Sequence, residues 1–275
     1  MAIEYLIDRP CPVKEKMPFE RIARMLKQRS GAEQILQLEL QGAKSQDEAR
    51  NVKIVSERYG PDGNAVTGEA TIGAILDETA VLFQLAGVCQ DCPAALGKPF
   101  GCHGAINYPV SAKSEQWLME LAARALEMKT PGMMALEFIL DKKFRGEPFS
   151  EMRRDPRFFE SRRPLELVVA KGMLGKKTIN SDQLLQFLLP SSLTEGAHMR
   201  IMSFFSGGLT VQDGPPAEDA AESAFSITDK EGKERWWVYD LPDGPQDDPA
   251  IRQWRRYFRS VFRTHSMDAH IKLDY

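Results

Sequence analysis

The chain has 275 residues, of which 43% are hydrophobic and 27% are charged, and its formal net charge is -3 at pH 7. This composition is typical of a globular protein with enough residues for one large core or two ordinary ones, and it excludes collagen-like and wholly disordered chains. Nucleic-acid binding depends on clustered Lys and Arg, so the net charge gives no general reason to expect a nucleic-acid partner.

The N-terminal sequence lacks the features of a secretory signal, because it carries the acidic Glu4 and has no apolar run. No stretch approaches the roughly 18 apolar residues of a membrane span. We therefore expect a cytoplasmic protein without a membrane span. Thiols stay reduced in that compartment, so the four cysteines indicate a metal or redox site rather than structural disulfides.

The chain begins with a predicted strand followed by a rigid turn. Residues 3–7 alternate enough for a short strand, and the next residues hold Cys11 between two prolines. From Phe19 onward the apolar residues follow helical spacing, and this amphipathic helix is predicted to end near Gly31.

The next segment leads to the other cysteines. Alternating apolar residues predict strand within residues 33–58, although the Gln and Glu content there also suits a helix. Residues 70–88 are mostly apolar and run directly into Cys89. We therefore expect the cysteine loop to be attached to a buried element.

A pair of helices is predicted after the cysteine loop. Ser111 is a good N-cap residue, and Glu115 is favourable in the first turn of the helix that follows. Thr130 and Pro131 have the residue types that helices prefer at the N-cap and at the first helical position. The two helices should adjoin the cysteine loop.

A change in composition after the helical pair predicts a module boundary. Between residues 141 and 163, eight Lys or Arg accompany five acids, and prolines at positions 148, 156 and 164 interrupt regular structure. We predict an α+β module over residues 1–145, a basic linker over 146–163, and a smaller hairpin-rich module over 164–275.

The second module is predicted to contain two hairpins and a final helix. A strand near residues 165–170 and a short helix over 181–189 precede hairpins within 198–212 and 224–241. Asp248 and the proline after it mark the start of a C-terminal amphipathic helix.

The C-terminal helix carries arginines beside an apolar face, which is a pattern that suits a protein partner. The predicted partner-binding residues are Arg252, Trp254, Arg256, Arg259 and Arg263. The alternative is that these arginines pair inside the chain with residues 213–248, where eleven acids face three bases.

The cysteine spacing is the clearest chemical signal in the sequence. Cys89-x2-Cys92 is a spacing at which a tight turn directs two thiolates to one metal ion or cluster. Cys102 follows between glycines whose small size lets backbone amides approach a sulfur. Cys11 would complete a set of four metal ligands, with His103 as the first substitute if Cys11 proves remote.

Three interpretations of the cysteines remain open: a 4Fe–4S iron–sulfur cluster, a structural zinc ion, or reactive or merely buried thiols. The sequence contains no complete phosphate loop, nucleophile elbow or zinc-hydrolase motif. We therefore expect a regulatory or adaptor protein that acts through protein–protein contacts, with a metal stabilising its N-terminal module. The alternative is an iron–sulfur redox protein or enzyme.

Overall fold

The computed structural model of the chain mixes helices and strands, which is compatible with the predicted α+β class. The structure describes residues 2–42, 44–59, 65–89, 92–96, 99–127, 131–172, 175–190, 192–193, 195–204, 209–217, 224–228, 231–239 and 248–274.

The helices and strands alternate irregularly along the chain. In chain order the elements are β1 (Ala2–Asp8), α1 (Pro12–Lys16), α2 (Phe19–Gln41), α3 (Gln46–Arg50), β2 (Lys53–Tyr59), β3 (Ala65–Thr71), α4 (Ile72–Glu78), α5 (Val81–Ala86), β4 (His103–Asn107), α6 (Ala112–Glu127), α7 (Pro131–Asp141), α8 (Phe149–Met152), β5 (Glu166–Gly172), β6 (Gly175–Asn180), α9 (Ser181–Leu188), β7 (Ser192–Leu193), α10 (Glu195–Phe204), β8 (Leu209–Gln212), β9 (Ala224–Thr228), β10 (Glu234–Tyr239), α11 (Pro249–Ser266) and β11 (His270–Asp274). Two 3-10 turns, Gly87–Cys89 and Pro93–Ala95, follow α5.

The chain forms two compact units that do not coincide with the predicted modules. Unit 1 contains Met1–Arg9 and Gly101–Tyr275, and unit 2 contains Pro10–Phe100. The predicted linker, residues 146–163, lies inside unit 1. The units differ from the predicted modules because the first strand, β1, pairs with the last strand, β11.

The main sheet of unit 1 contains strands from both ends of the chain. Its order is β4-β1-β11-β7, and β1 pairs antiparallel with both of its neighbours. The side chains of Ile3, Tyr5 and Ile7 are buried, which confirms the strand predicted from their alternation. The Tyr5 ring occupies the position where a Cβ on Gly104 would lie, at 2.3 Å from the phenol, so a larger residue at Gly104 would clash.

The long helix α2 differs from its prediction because it continues through Gly31 to Gln41. A glycine inside a helix costs about 1 kcal/mol relative to alanine, a small penalty compared with burial of several apolar side chains. Ala32, directly after the glycine, packs in a core cluster with Ile72 and Ile75. The strand predicted within residues 33–58 therefore begins only at Lys53.

One apolar stretch in the described part of the chain passes a length-and-composition test for a membrane span, contrary to the sequence-based expectation. Ile72–Cys89 has a mean hydropathy of 1.5, and 44% of it is buried. The stretch is divided among α4, α5 and a 3-10 turn. Core helices pass the same test, so the described residues contain no clear membrane span.

The two helices after the cysteine loop begin where the sequence predicts. Ser114 N–H donates to Ser111 Oγ at 3.1 Å, which is the expected N-cap contact for α6. Helix α7 begins at Pro131, whereas Thr130 lies outside the described residues. At the other end of the chain, α11 also begins as predicted, since Ala250 N–H donates to Asp248 Oδ1 at 2.8 Å.

Residues 146–163 are tied into unit 1 by a buried cation, Arg153. Its guanidinium donates to Asp182 Oδ1 and to Glu115 Oε1, each at 2.6 Å, and lies 4.2 Å from the centre of the Phe159 ring. Ser181 Oγ completes the network by donating to Glu115. A buried charge with this many partners holds its segment in place, so this stretch is packed rather than a solvated linker.

One of the two predicted hairpins is wrong and the other is confirmed. The hairpin predicted within residues 198–212 is wrong, because residues 195–204 form α10. Ile201 and Phe204 are buried at helical spacing, which the sequence pattern did not separate from alternation. Strands β9 and β10 pair antiparallel as predicted, and β8 adds to them in the order β8-β10-β9.

Removing Arg153 should destabilise unit 1 strongly. Arg153→Met leaves Glu115 and Asp182 buried without their counter-charge, and we expect a loss of about 3–5 kcal/mol in the free energy of unfolding. Arg157→Met is the matched control, because Arg157 pairs with Asp155 at the surface, and its urea midpoint should hardly change. Equal midpoints for the two variants would contradict the role of the network.

Candidate thiol site

Cys11 lies at the start of α1, in the turn that the flanking prolines predict. Its carbonyl oxygen accepts hydrogen bonds from the N–H groups of Lys14 and Glu15, at 3.0 and 3.2 Å, and so begins the helix. The half-buried Cys11 packs against an apolar cluster of unit 2 that contains Val13 and Cys89. Cys11 is therefore not remote from Cys89.

Cys89 and Cys92 are joined by a backbone hydrogen bond, and residues 90 and 91 of the predicted turn lie outside the described residues. Cys92 N–H donates to the Cys89 carbonyl oxygen at 3.1 Å, and Ala95 N–H donates to the Cys92 carbonyl oxygen at 2.9 Å. Cys89 is buried in the apolar cluster, whereas Cys92 is half-buried. Phe100 has a φ of 56°, in the left-handed region that non-glycine residues rarely adopt, and its backbone N–H donates to the Cys89 sulfur.

The three cysteines of unit 2 interact electrostatically. Burial raises the pKa of the Cys89 thiol, and the hydrogen bond from the Phe100 amide opposes that increase. Cys92 and Cys11 each raise the same pKa further by charge repulsion. Cys11 and Cys92 are therefore near enough to Cys89 to affect its pKa, although the three sulfurs are not grouped as metal ligands are. These three residues are called the thiol cluster below.

The thiol cluster is not an assembled metal centre in this conformation. Within the described ranges, no three His, Cys, Asp or Glu side chains are grouped so that they could hold a metal ion. Cys89 has a raised pKa, and a neutral buried cysteine packs as a small apolar side chain. Metal binding would require deprotonation and a local approach of the three sulfurs.

Cys102 and His103, the other predicted ligands, belong to unit 1. The Cys102 carbonyl oxygen accepts a hydrogen bond from Ile7 N–H at 2.9 Å. His103 Nε2 lies 3.5 Å from a carboxylate oxygen of Glu4 on the neighbouring strand. The participation of Cys102 in a metal site stays a prediction.

The predicted partner-binding face of α11 is largely turned into unit 1. Trp254 is 0% exposed and packs against Tyr257 and Phe258, with ring centres 6.0 Å apart in both cases. The apolar face of the helix therefore forms part of the core, and a partner-binding role for Trp254 stays a prediction. Arg252 is exposed, whereas Arg256, Arg259 and Arg263 are half-buried.

Arg256 makes contacts within unit 1. Its guanidinium donates to the carbonyl oxygen of His103 at 2.9 Å and to that of Gly101 at 3.4 Å. Two acids of the acidic stretch, residues 213–248, make ion pairs with lysines. A carboxylate oxygen of Asp213 lies 3.0 Å from Lys233 Nζ, and one of Asp248 lies 3.9 Å from Lys113 Nζ.

A surface groove of about 790 Å³ in unit 2 was missed by the sequence analysis. Leu36, Leu38 and Leu76 supply apolar lining, and Leu38 is 65% exposed. At the edge of the groove, Arg29 pairs with Glu33 at 2.8 Å and lies 4.2 Å from the ring centre of Phe83. Leu36 and Leu38 were assigned to a strand, so their common place in a groove beside a helix was not recognised.

The contacts of Arg256 allow its structural role to be measured. Arg256→Gln should lower the free energy of unfolding by about 1–2 kcal/mol, because charge-assisted hydrogen bonds to two carbonyl oxygens are lost. Arg252→Gln, on the exposed side of the same helix, should leave the urea midpoint nearly unchanged. If both variants unfold like the parent protein, the contacts of Arg256 do not stabilise unit 1.

The comparisons with known proteins provide no relative. No protein-family model matches the chain, and neither a curated protein nor a solved structure is similar to it. A function for this chain is therefore argued from the thiol cluster, the groove and the contacts described above.

Proposed function

We propose that the thiol cluster binds a metal through Cys11, Cys89 and Cys92, and that this metal stabilises unit 2 of a cytoplasmic regulatory or adaptor protein. The observation that carries the proposal is the proximity of Cys11 to the Cys89-x2-Cys92 turn. Residues far apart in sequence contribute the same soft ligand type to one place, in a compartment where disulfides are rare.

The electrostatics of the cluster favour a bound cation. Each neighbouring cysteine raises the pKa of Cys89, so three thiolates without a metal would repel one another. A bound divalent cation offsets that repulsion and favours deprotonation of the cysteine thiols. The Phe100 amide already donates to the Cys89 sulfur, which is the type of contact that orients and stabilises thiolate ligands.

The groove of unit 2 supports the regulatory or adaptor role. Leu38 and Phe83 are 65% and 63% exposed, and exposed large apolar side chains beside polar groups are typical of protein-contact surfaces. The polar lining contains Ser30, Gln34 and the Arg29–Glu33 ion pair. A groove of this composition suits an apolar segment of a protein partner.

An iron–sulfur redox protein is the second candidate. The hydrogen bond from the Phe100 amide to the Cys89 sulfur favours it, because such bonds tune the reduction potential of a cluster. Visible absorption separates the two candidates, since a zinc protein is colourless and an iron–sulfur protein is coloured.

Metal analysis of single variants tests the proposal. Protein purified without oxygen should carry zinc, or iron with sulfide, in a fixed ratio to the chain. Cys11→Ser, Cys89→Ser and Cys92→Ser should each lower metal affinity about tenfold or more and lower the melting temperature, because metal affinity contributes to folding. Cys102→Ser tests whether the predicted fourth ligand takes part.

Leu82→Ala is the matched control, because Leu82 packs in the same apolar cluster as Cys89 and supplies no ligand. It should lower the melting temperature and keep the metal content. Metal-free parent protein, together with cysteine variants that melt at the parent temperature, would contradict the proposal.

A further inference from the structure

Helix α10 carries a histidine in an unusual environment. His198 is 1% exposed, and neither of its ring nitrogens has a hydrogen-bond partner in the described part of the chain. Buried polar groups are nearly always paired, because an unpaired one loses its hydration without compensation. The site therefore accepts the neutral imidazole at some cost and the charged imidazolium at a much greater one.

The charged groups around His198 would make protonation still less favourable. Its ring lies 6.4 Å from that of His265 on α11, at an angle of 72°, and it interacts electrostatically with His270 on β11. Both neighbours oppose a positive charge on His198. A proton on His198 would therefore meet two like charges.

Helices α6 and α7 and strand β7 also pack against α10, and α9 contacts it through Phe187. The sequence of β7, Ser192–Leu193, contains no titratable side chain. Helix α11 also carries the half-buried Arg259 and Arg263, which are cationic. On α6 and α7 the exposed charged side chains are Lys113, Glu120, Arg124, Glu137 and Asp141.

Helix α10 also covers apolar surface. Ile201 and Phe204 are buried, and the ring centre of Phe204 lies 6.3 Å from that of Phe187 on α9. Arg200 places its guanidinium 4.6 Å from the ring centre of Phe138 on α7. If a charge on His198 loosened α10, these aromatic side chains would lose their contacts and become exposed to water.

We propose that His198, together with His265 and His270, makes α10 an acid-sensitive latch that releases from α7 and α11 when His198 is protonated. The proposal concerns unit 1 and is independent of the metal site. It assigns the three histidines a common role that their positions in the sequence do not indicate.

The direction of the pH dependence follows from the burial of His198. Burial, together with smaller contributions from the charges of His265 and His270, lowers the pKa of His198 from its ordinary value of 6.5 to about 4. Between pH 6.5 and 4 the unfolded chain therefore binds a proton that the folded chain does not. Stability is fully present above pH 6.5 and falls as the pH decreases to about 4.

The test compares the parent protein with His198→Phe in urea unfolding from pH 7 to pH 4. We expect the folding equilibrium constant of the parent to fall on the order of 100-fold more than that of the variant across this range. His103→Gln, which changes a histidine outside the group, should keep the parental dependence. Equal pH dependence for the parent and His198→Phe would overturn the proposal.

Two measurements on the unaltered chain keep the test decisive if His198→Phe does not fold. Hydrogen exchange should accelerate in residues 195–204 as the pH falls from 6.5 to 4, after correction for the intrinsic effect of pH. NMR titration of the His198 ring should give a midpoint well below 6. A midpoint at or above 6.5, or unchanged protection of α10, would contradict the latch.

Discussion

The antiparallel pairing of β1 with both β4 and β11 is the constraint on which the rest of the structure depends. It places Ala2 opposite Asn107 and Glu4 opposite Asp274, and thereby joins segments from both ends of the chain in one sheet. Closing such long loops costs conformational entropy, which the burial of Ile3, Tyr5 and Ile7 offsets. Residues 10–100 then form a compact unit whose two ends continue into paired strands.

The thiol cluster depends on packing inside unit 2. Cys11 and Cys89 are 78 positions apart in the sequence, and both belong to or pack against an apolar cluster that also contains Val13 and Leu82. A metal would add a second stabilising contribution.

Features set by neighbouring residues could be predicted from the sequence. Asp248 before a proline begins α11, and Ser111 caps α6, because each start depends on contacts across only a few positions. Features set by distant residues could not. Helix α2 crosses Gly31 because tertiary packing outweighs local propensity. Arg153 was read as solvated charge because its acidic partners lie 38 and 29 positions away.

The central claim is that Cys11, Cys89 and Cys92 supply thiolates to one metal. X-ray absorption at the metal edge tests it most directly, because it counts the sulfur atoms around the ion and measures their distances. We expect at least three sulfur ligands, near 2.3 Å for zinc, and one fewer protein sulfur per metal in Cys11→Ser that has been reloaded with metal. A first shell made of oxygen and nitrogen, or a sulfur count that Cys11→Ser leaves unchanged, would contradict the account.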